Sequence, residues 1–275
     1  MMSATDPYRR WRTQIAAVAR NEIVRSVFGR RALPSYILVG MALSLLLLLV
    51  LFLPDSVRGS VSHSRTEFAR IFNIFILRFV VFFTNALIFV RLFSGEKLEK
   101  TLHYTLLTPM RREVLVLGKY AGGLVSAIAI LVPSTTVGFL MVFLSHGRPG
   151  VSHVTSPSGL EALSAYILIV VLASMAYGSL FLLAGLFFKN PMVPMVIFLG
   201  WEFLTPFLPT TLKYMSFLHY LVSFNPVPMA LPAFAVFAQP VSWWTAILAL
   251  LAASAVLLAM ATYAARRLEV TYSAD

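Results

Sequence analysis

The sequence predicts an all-α polytopic membrane protein, and three observations lead there. Hydrophobic residues make up 59% of the 275 positions and charged residues only 12%, against roughly 45–50% and about 25% in soluble domains. A soluble chain of this length has too little interior to hide that apolar surface. The apolar residues fall in long runs separated by short charged segments, each run long enough to cross a bilayer. The net charge of +11 is concentrated in the segments between the runs. That placement fits positively charged inner loops and argues against a nucleic-acid partner.

Residues 1–34 form a basic N-terminal segment. Asp6-Pro7 reads as an N-cap followed by proline at the first helical position. Trp11, Ile15, Val18, Ala19, Ile23 and Val27 then recur at helical spacing, with Arg9, Arg12, Arg20 and Arg25 among polar neighbours. An amphipathic helix lying on the cytoplasmic surface is expected, its arginines near anionic headgroups. No small-residue cleavage site follows the first apolar run, so that run is read as an uncleaved membrane helix.

Six spans are expected within residues 35–265. The first is Ser35–Leu53, closed by Pro54-Asp55, and the second is Phe68–Phe93. Val114–Leu144 is the third, with Pro133 as a kink. Leu160–Phe188 is the fourth, and the tight turn Lys189-Asn190-Pro191 leads into a fifth ending near Pro206. The sixth, Val241–Ala265, starts at the interfacial pair Trp243-Trp244, and residues 266–275 are a tail. The segment 208–238 is apolar but interrupted by Asn225, Pro226, Pro228 and Pro232. A crossing there would make seven spans and put Arg266 and Arg267 outside. It is therefore read as two short helices re-entering from the outer face, with Asn225, Pro226 and Pro228 as an outer gate.

The charges set the orientation. With the N-terminus inside, the inner segments hold Arg9, Arg10, Arg12, Arg20, Arg25, Arg30, Arg31, Arg91, Lys97, Lys100, Arg111, Arg112, Lys119, Lys189, Arg266 and Arg267. The outer segments hold only Arg58, Arg65, Arg70, Arg148 and Lys213. Both termini are thus expected in the cytoplasm of a bacterial inner membrane.

The chain has no cysteine, which excludes disulfides, thiolate metal sites and Cys nucleophiles. His63, His103, His146, His153 and His219 lack ligand spacing, and no acid pair suggests catalysis. Two features within the spans are more informative. Phe68, Phe72, Phe75, Phe79, Phe82, Phe89 and Phe93 share one helix face, read as a packing face in preference to an aromatic slide. Arg78 lies about 15 Å from the outer boundary by helical rise, beyond comfortable snorkelling reach. An intramembrane charge costs at least ~2.5 kcal/mol and so faces protein or water. Arg78, Asn85 and Glu202 are therefore candidates for a translocation path, with an Arg78–Glu202 structural pair as the other reading.

The segment 94–113 is too organised for a plain loop. Ser94 reads as a cap, Glu96 pairs with Lys100, and Leu98, Leu102, Leu106 and Leu107 form an apolar stripe up to Thr108-Pro109. A helix of this kind, parallel to the membrane, can seat a cytoplasmic partner.

The stretch SGEKLEKTLHYTLLTPMRREVLVLGKY resembles the segment after the second span in ABC type 2 exporter permeases. Glu96, Thr101, Leu102, Leu106, Leu107, Thr108, Pro109, Arg111 or Arg112, Gly118 and Lys119 match that family's pattern. Lys100 stands where the family has glycine, and His103 where it has glutamate. The surface helix, the six spans and the broken segment before the last span extend the likeness over nearly the whole chain.

The resemblance implies a dimer of like or unlike permeases, each seated on a cytoplasmic ATPase subunit. Gly95–Thr108 would be the coupling helix, with Glu96, Lys97, Glu99, Lys100, Leu102, His103, Leu106, Pro109, Arg111 and Arg112 as the ATPase-coupling set. The chain has no GxxxxGK[ST] loop, so it is expected not to be an enzyme, and ATP and Mg²⁺ would belong to the partner. The Phe-rich spans and small outer loops suit a lipidic or amphiphilic cargo. The alternatives are an ion-gradient-driven secondary transporter, which needs intramembrane acids, or a membrane scaffold or assembly factor without transport.

Overall fold

The computed structural model describes residues 7–52, 61–98, 110–188, 190–207, 209–227 and 241–267, and these contain helices and no strand. Helix α1 spans Pro7–Ile23 and runs into a π turn, Val24–Phe28. It starts at the proline the sequence marks. Helix α2 is Leu33–Phe52, α3 is Val61–Leu98, α4 is Arg112–Leu144, α5 is Arg148–Thr155 and α6 is Pro157–Phe187. After them come α7 (Met192–Leu204), α8 (Thr210–Lys213), α9 (Phe217–Val222) and α10 (Trp243–Arg266).

Five of these helices, α2, α3, α4, α6 and α10, are long and apolar enough to cross a membrane. The expected fifth span is shorter than the sequence suggests. Helix α7 has 13 residues, about 20 Å of rise against a ~30 Å hydrocarbon core, and a 3₁₀ turn at Thr205–Phe207 ends it. Proline 206 removes a donor there and stops the α-helix. Of the expected re-entrant segment, residues 209–227 contain two short helices, α8 and α9; residues 208 and 228–238, including Pro228, lie outside the described residues.

Helices α3, α4 and α6 form the centre, and large-against-small pairing sets how closely they approach. Phe89 is fully buried, and its ring lies where a Cβ on Gly178 of α6 would come within 2.5 Å and one on Gly123 of α4 within 2.8 Å. Phe68 stacks edge-on against Phe139 of α4 and Tyr166 of α6, with centroids 5.5 and 5.1 Å apart. Phe82 does the same against Tyr177 and Phe181. The Phe stripe is thus mainly a packing face; Phe75 and Phe79 remain partly exposed. Burying such rings and pairing them edge to face gives each contact about 0.5–1.5 kcal/mol beyond its area term. Helices α2 and α10 flank this centre and leave long apolar faces exposed, among them Ile37, Leu48, Leu248 and Val256. In water such faces would be unstable; in lipid they cost nothing.

Local geometry along α3 and α4 departs from the expected cap at Ser94 and adds two details. Helix α3 does not stop at Phe93. It continues to Leu98, and the Ser94 hydroxyl donates to Val90 O at 2.9 Å inside the same helix instead of capping a new one. Tertiary contacts of Glu96 and Lys97 hold that last turn. Within α3, Phe72–Val81 opens into a π-helical stretch that carries Asn73 and Arg78. Helix α4 runs continuously through Pro133. Next to it, Ser134 donates to Leu131 O at 2.8 Å and Thr136 to Val132 O at 2.9 Å.

The ends of the helices gather at two poles. At the basal pole lie α1, the C-terminal turns of α3, α6 and α10, and the first turn of α4, as their mutual contacts require. At the apical pole the start of α3 meets the end of α4, where Ser64 and His146 Nε2 hydrogen-bond at 2.8 Å. Gly147, with φ of 64°, turns the chain there into α5.

Candidate functional site

The basal pole is built around one buried ammonium. Lys119 sits in the second turn of α4 and is 1% exposed. Its Nζ donates to Glu22 Oε1 of α1 at 2.9 Å, Glu96 Oε1 of α3 at 2.7 Å and Leu92 O at 2.8 Å, and it lies 5.2 Å from the Phe93 ring centroid. All three donor positions of the ammonium are used. Glu22 and Glu96 are each 5% exposed, and Glu96 Oε2 is buried with no partner among the described residues. Charges this deep are retained only when paired and hydrogen-bonded.

Small residues bring the three helices together. A Cβ on Gly118 would fall 2.7 Å from the Val18 side chain, and one on Gly122 would fall 2.8 Å from both Ala19 O and Glu22 Cβ. Helix α1 therefore lies in a notch along α4. Helix α1 leaves Arg12, Arg20 and Arg25 exposed, while its apolar face packs on α4 and takes Glu22 inside.

Other cations of the 94–113 region also close onto helix ends. Lys97 donates to Leu186 O and, at 3.4 Å, to Gly185 O, in the last turn of α6. Arg112 donates to Ala265 O at 3.2 Å and Arg266 O at 2.8 Å, at the end of α10. Cations on the free carbonyls of a helix C-terminus meet the negative end of its dipole. Arg266 is paired with Glu113. Arg111 lies over the Trp11 ring, 4.7 Å from its centroid. Glu99, Lys100, Leu102, His103, Leu106 and Pro109 lie outside the described residues. Glu96, expected to pair with Lys100 and named in the ATPase-coupling set, is enclosed by the bundle, and Lys97 reaches α6.

A second polar group lies deeper. Glu202 of α7 accepts from Tyr177 Oη at 3.0 Å and from the Ser216 hydroxyl. Arg78 is close enough for its charge to act on Glu202, yet makes no ion pair with it within 4 Å. Beside Glu202 a cleft of about 330 Å³ opens between α6 and α7. Asn85, placed by spacing on the face of Arg78, is fully buried and donates to Val81 O at 2.8 Å and to Ser174 Oγ at 3.3 Å. It ties α3 to α6 and does not join the Arg78–Glu202 group. Asn225 donates to Asn73 Oδ1 at 2.8 Å, which anchors the broken segment on the π stretch of α3, and Pro226 next to it is half-buried.

Two residues of the basal cluster were not candidates from the sequence. Glu22 shares the helix face of Val18 and Ala19, and an acid on an apolar face is the signal that points to it. Lys119 stands seven residues after Arg112, inside the third apolar run, and its depth is the equivalent signal. No family model and no curated protein matches the chain.

Proposed function

We propose that the protein is the membrane-spanning permease subunit of an ATP-driven exporter, with the nucleotide chemistry in a separate cytoplasmic chain. The observation that carries this reading is the anchoring of both roots of residues 99–109. On one side Glu96 and Lys97 tie the end of α3 to α4, α1 and α6. On the other, Arg111 and Arg112 tie the start of α4 to α1 and α10. A partner pressing on the segment between these roots would move four bundle helices and the basal helix together. A loop with no mechanical role needs no such joints.

In this reading the basal pole faces the cytoplasm, in keeping with its arginines and lysines. The sixth crossing is made by residues 188–242. That helices α6 and α10 both end at the basal pole supports a crossing between them. Helix α7 with its 3₁₀ turn, followed by α8 and α9, makes that ascent, and the Asn225–Asn73 contact holds its upper part. A second permease copy and the ATPase complete the assembly, and ATP with Mg²⁺ binds in the ATPase.

Affinity purification of the full chain from native membranes tests the proposal. An ATPase subunit is expected to co-purify and to be lost in Leu102→Asp or Glu99→Lys, with expression retained. Glu96 is unsuitable for this test because its charge belongs to the buried cluster. Cargo movement by the chain alone in ATP-free vesicles under an ion gradient would overturn the proposal in favour of a secondary transporter.

A further inference from the structure

We propose that the cleft between α6 and α7 is a binding site for the ammonium group of an amphiphilic amine. The carboxylate of Glu202 is the counter-ion and the aromatic rings around it are the wall. At about 330 Å³ the cleft is at the lower end of the range for small-ligand sites, which suits a head group with the start of its chain.

Tyr177, Phe198, Trp201 and Phe217 wall the cleft, and Glu202 lies among them. Tyr177 and Phe217 meet edge to face, with centroids 5.5 Å apart, beside the carboxylate. Several rings around one anion form the arrangement that holds alkylated ammonium groups, since ring faces attract a cation and exclude water. The carboxylate retains capacity. It offers about four lone-pair positions, and Tyr177 and Ser216 occupy two. Arg78 acts on Glu202 from α3 but is not part of the cleft wall.

The mouth of the cleft indicates the body of the ligand. Ile197 is 54% exposed and Met215 70%, and the neighbouring surface of α7 is apolar, with Val196 and Leu204 exposed. A ligand entering there comes sideways from lipid, so its non-polar part is a hydrocarbon chain. This names a cargo class for the proposed exporter, but the binding itself requires no ATPase, so the two ideas fail separately.

The test measures saturable binding of radiolabelled dodecyltrimethylammonium to the full chain in nanodiscs, with protein-free nanodiscs subtracted. Dodecyl sulfate and dodecyl maltoside serve as charge controls. The ammonium compound is expected to bind saturably and the controls not. Glu202→Gln is expected to weaken binding by about tenfold or more. Ile197→Trp, which fills the mouth without touching the carboxylate, is expected to abolish it, and it decides alone should Glu202→Gln fail to fold. Competition by a choline-headgroup phospholipid would identify a lipid as the source of the ammonium; its absence would point to a free amphiphile. Equal binding of all three compounds, or ammonium binding that is absent or unchanged in both variants, overturns the proposal.

Discussion

Lys119 shows what a single residue does here. One ammonium joins α1, α3 and α4 through two carboxylates, and none of the three is exposed enough for water to replace a lost partner. Lys119→Met keeps the side-chain volume and removes the charge. It is expected to destabilise the protein by about 3–5 kcal/mol, because two buried carboxylates lose their partner. Denaturant unfolding in detergent micelles measures this, and combining Lys119→Met with Glu22→Gln and Glu96→Gln should restore part of the loss. His153, in α5 outside the spans, gives a pH prediction. Burial, and next the charge of Arg65, lower its pKa from the ordinary 6.5. The ring lies against Phe143, and its Nε2 is buried with no partner among the described residues. The folded state therefore binds this proton less readily than the unfolded state. Stability from this group is complete above about pH 6.5 and falls as pH drops toward the lowered value. A melting temperature that declines with acidification in the wild-type chain, and declines less in His153→Phe, is the expected result.

At the scale of elements, close approach between helices depends on glycine, and the hydrogen bonds follow from it. Helix α1 reaches Lys119 only because Gly118 and Gly122 leave room for its backbone. Gly122→Leu should push α1 off α4 and take Glu22 out of the cluster, although it alters no charged residue. Limited proteolysis within residues 1–34 is expected to speed up severalfold, with an overpacking cost of about 1–3 kcal/mol. If α1 were held by lipid alone, the substitution would change neither. The π stretch of α3 is the corresponding irregular element in the centre. Such widened turns cluster at functional positions, and this one carries both Asn73, which receives the broken segment, and Arg78, whose charge acts on Glu202.

For the whole molecule, the placement of helix ends at two poles makes topology testable. Because the chain has no cysteine, single-cysteine variants report without background. Ser145→Cys, at the end of α4, and Ser242→Cys, before α10, are expected to react with a membrane-impermeant maleimide from the same side of sealed vesicles. Ser26→Cys, at the basal pole, is expected to react only from the other side. Labelling of Ser242→Cys with Ser26→Cys would mean that residues 188–242 do not cross, and would remove the sixth span. The exposed apolar faces of α2, α7 and α10 require lipid or another apolar surface at mid-depth. In detergent the protein should bind an amount typical of a helical membrane protein, measurable by sedimentation.

The sequence by itself determined the class, the long apolar helices and the character of the Phe stripe. Those follow from periodicity and length, which are local properties of a chain in lipid. It also marked Arg78 and Glu202 as costly and therefore partnered or solvated. Tertiary structure alone decided where the charges of the 94–113 region go. By helix geometry Glu96 pairs with Lys100, four residues on; in the folded bundle Lys119, from another helix, takes it inside. Ser94 looks like a cap because hydroxyls favour that position, yet the helix runs through it, since contacts with α4 and α6 outweigh a local preference of about 1 kcal/mol. Asn85 shares a helix face with Arg78 but reaches Ser174 of α6. Spacing gives the face of a helix on which a side chain lies, and only the arrangement of neighbouring helices gives what it meets there.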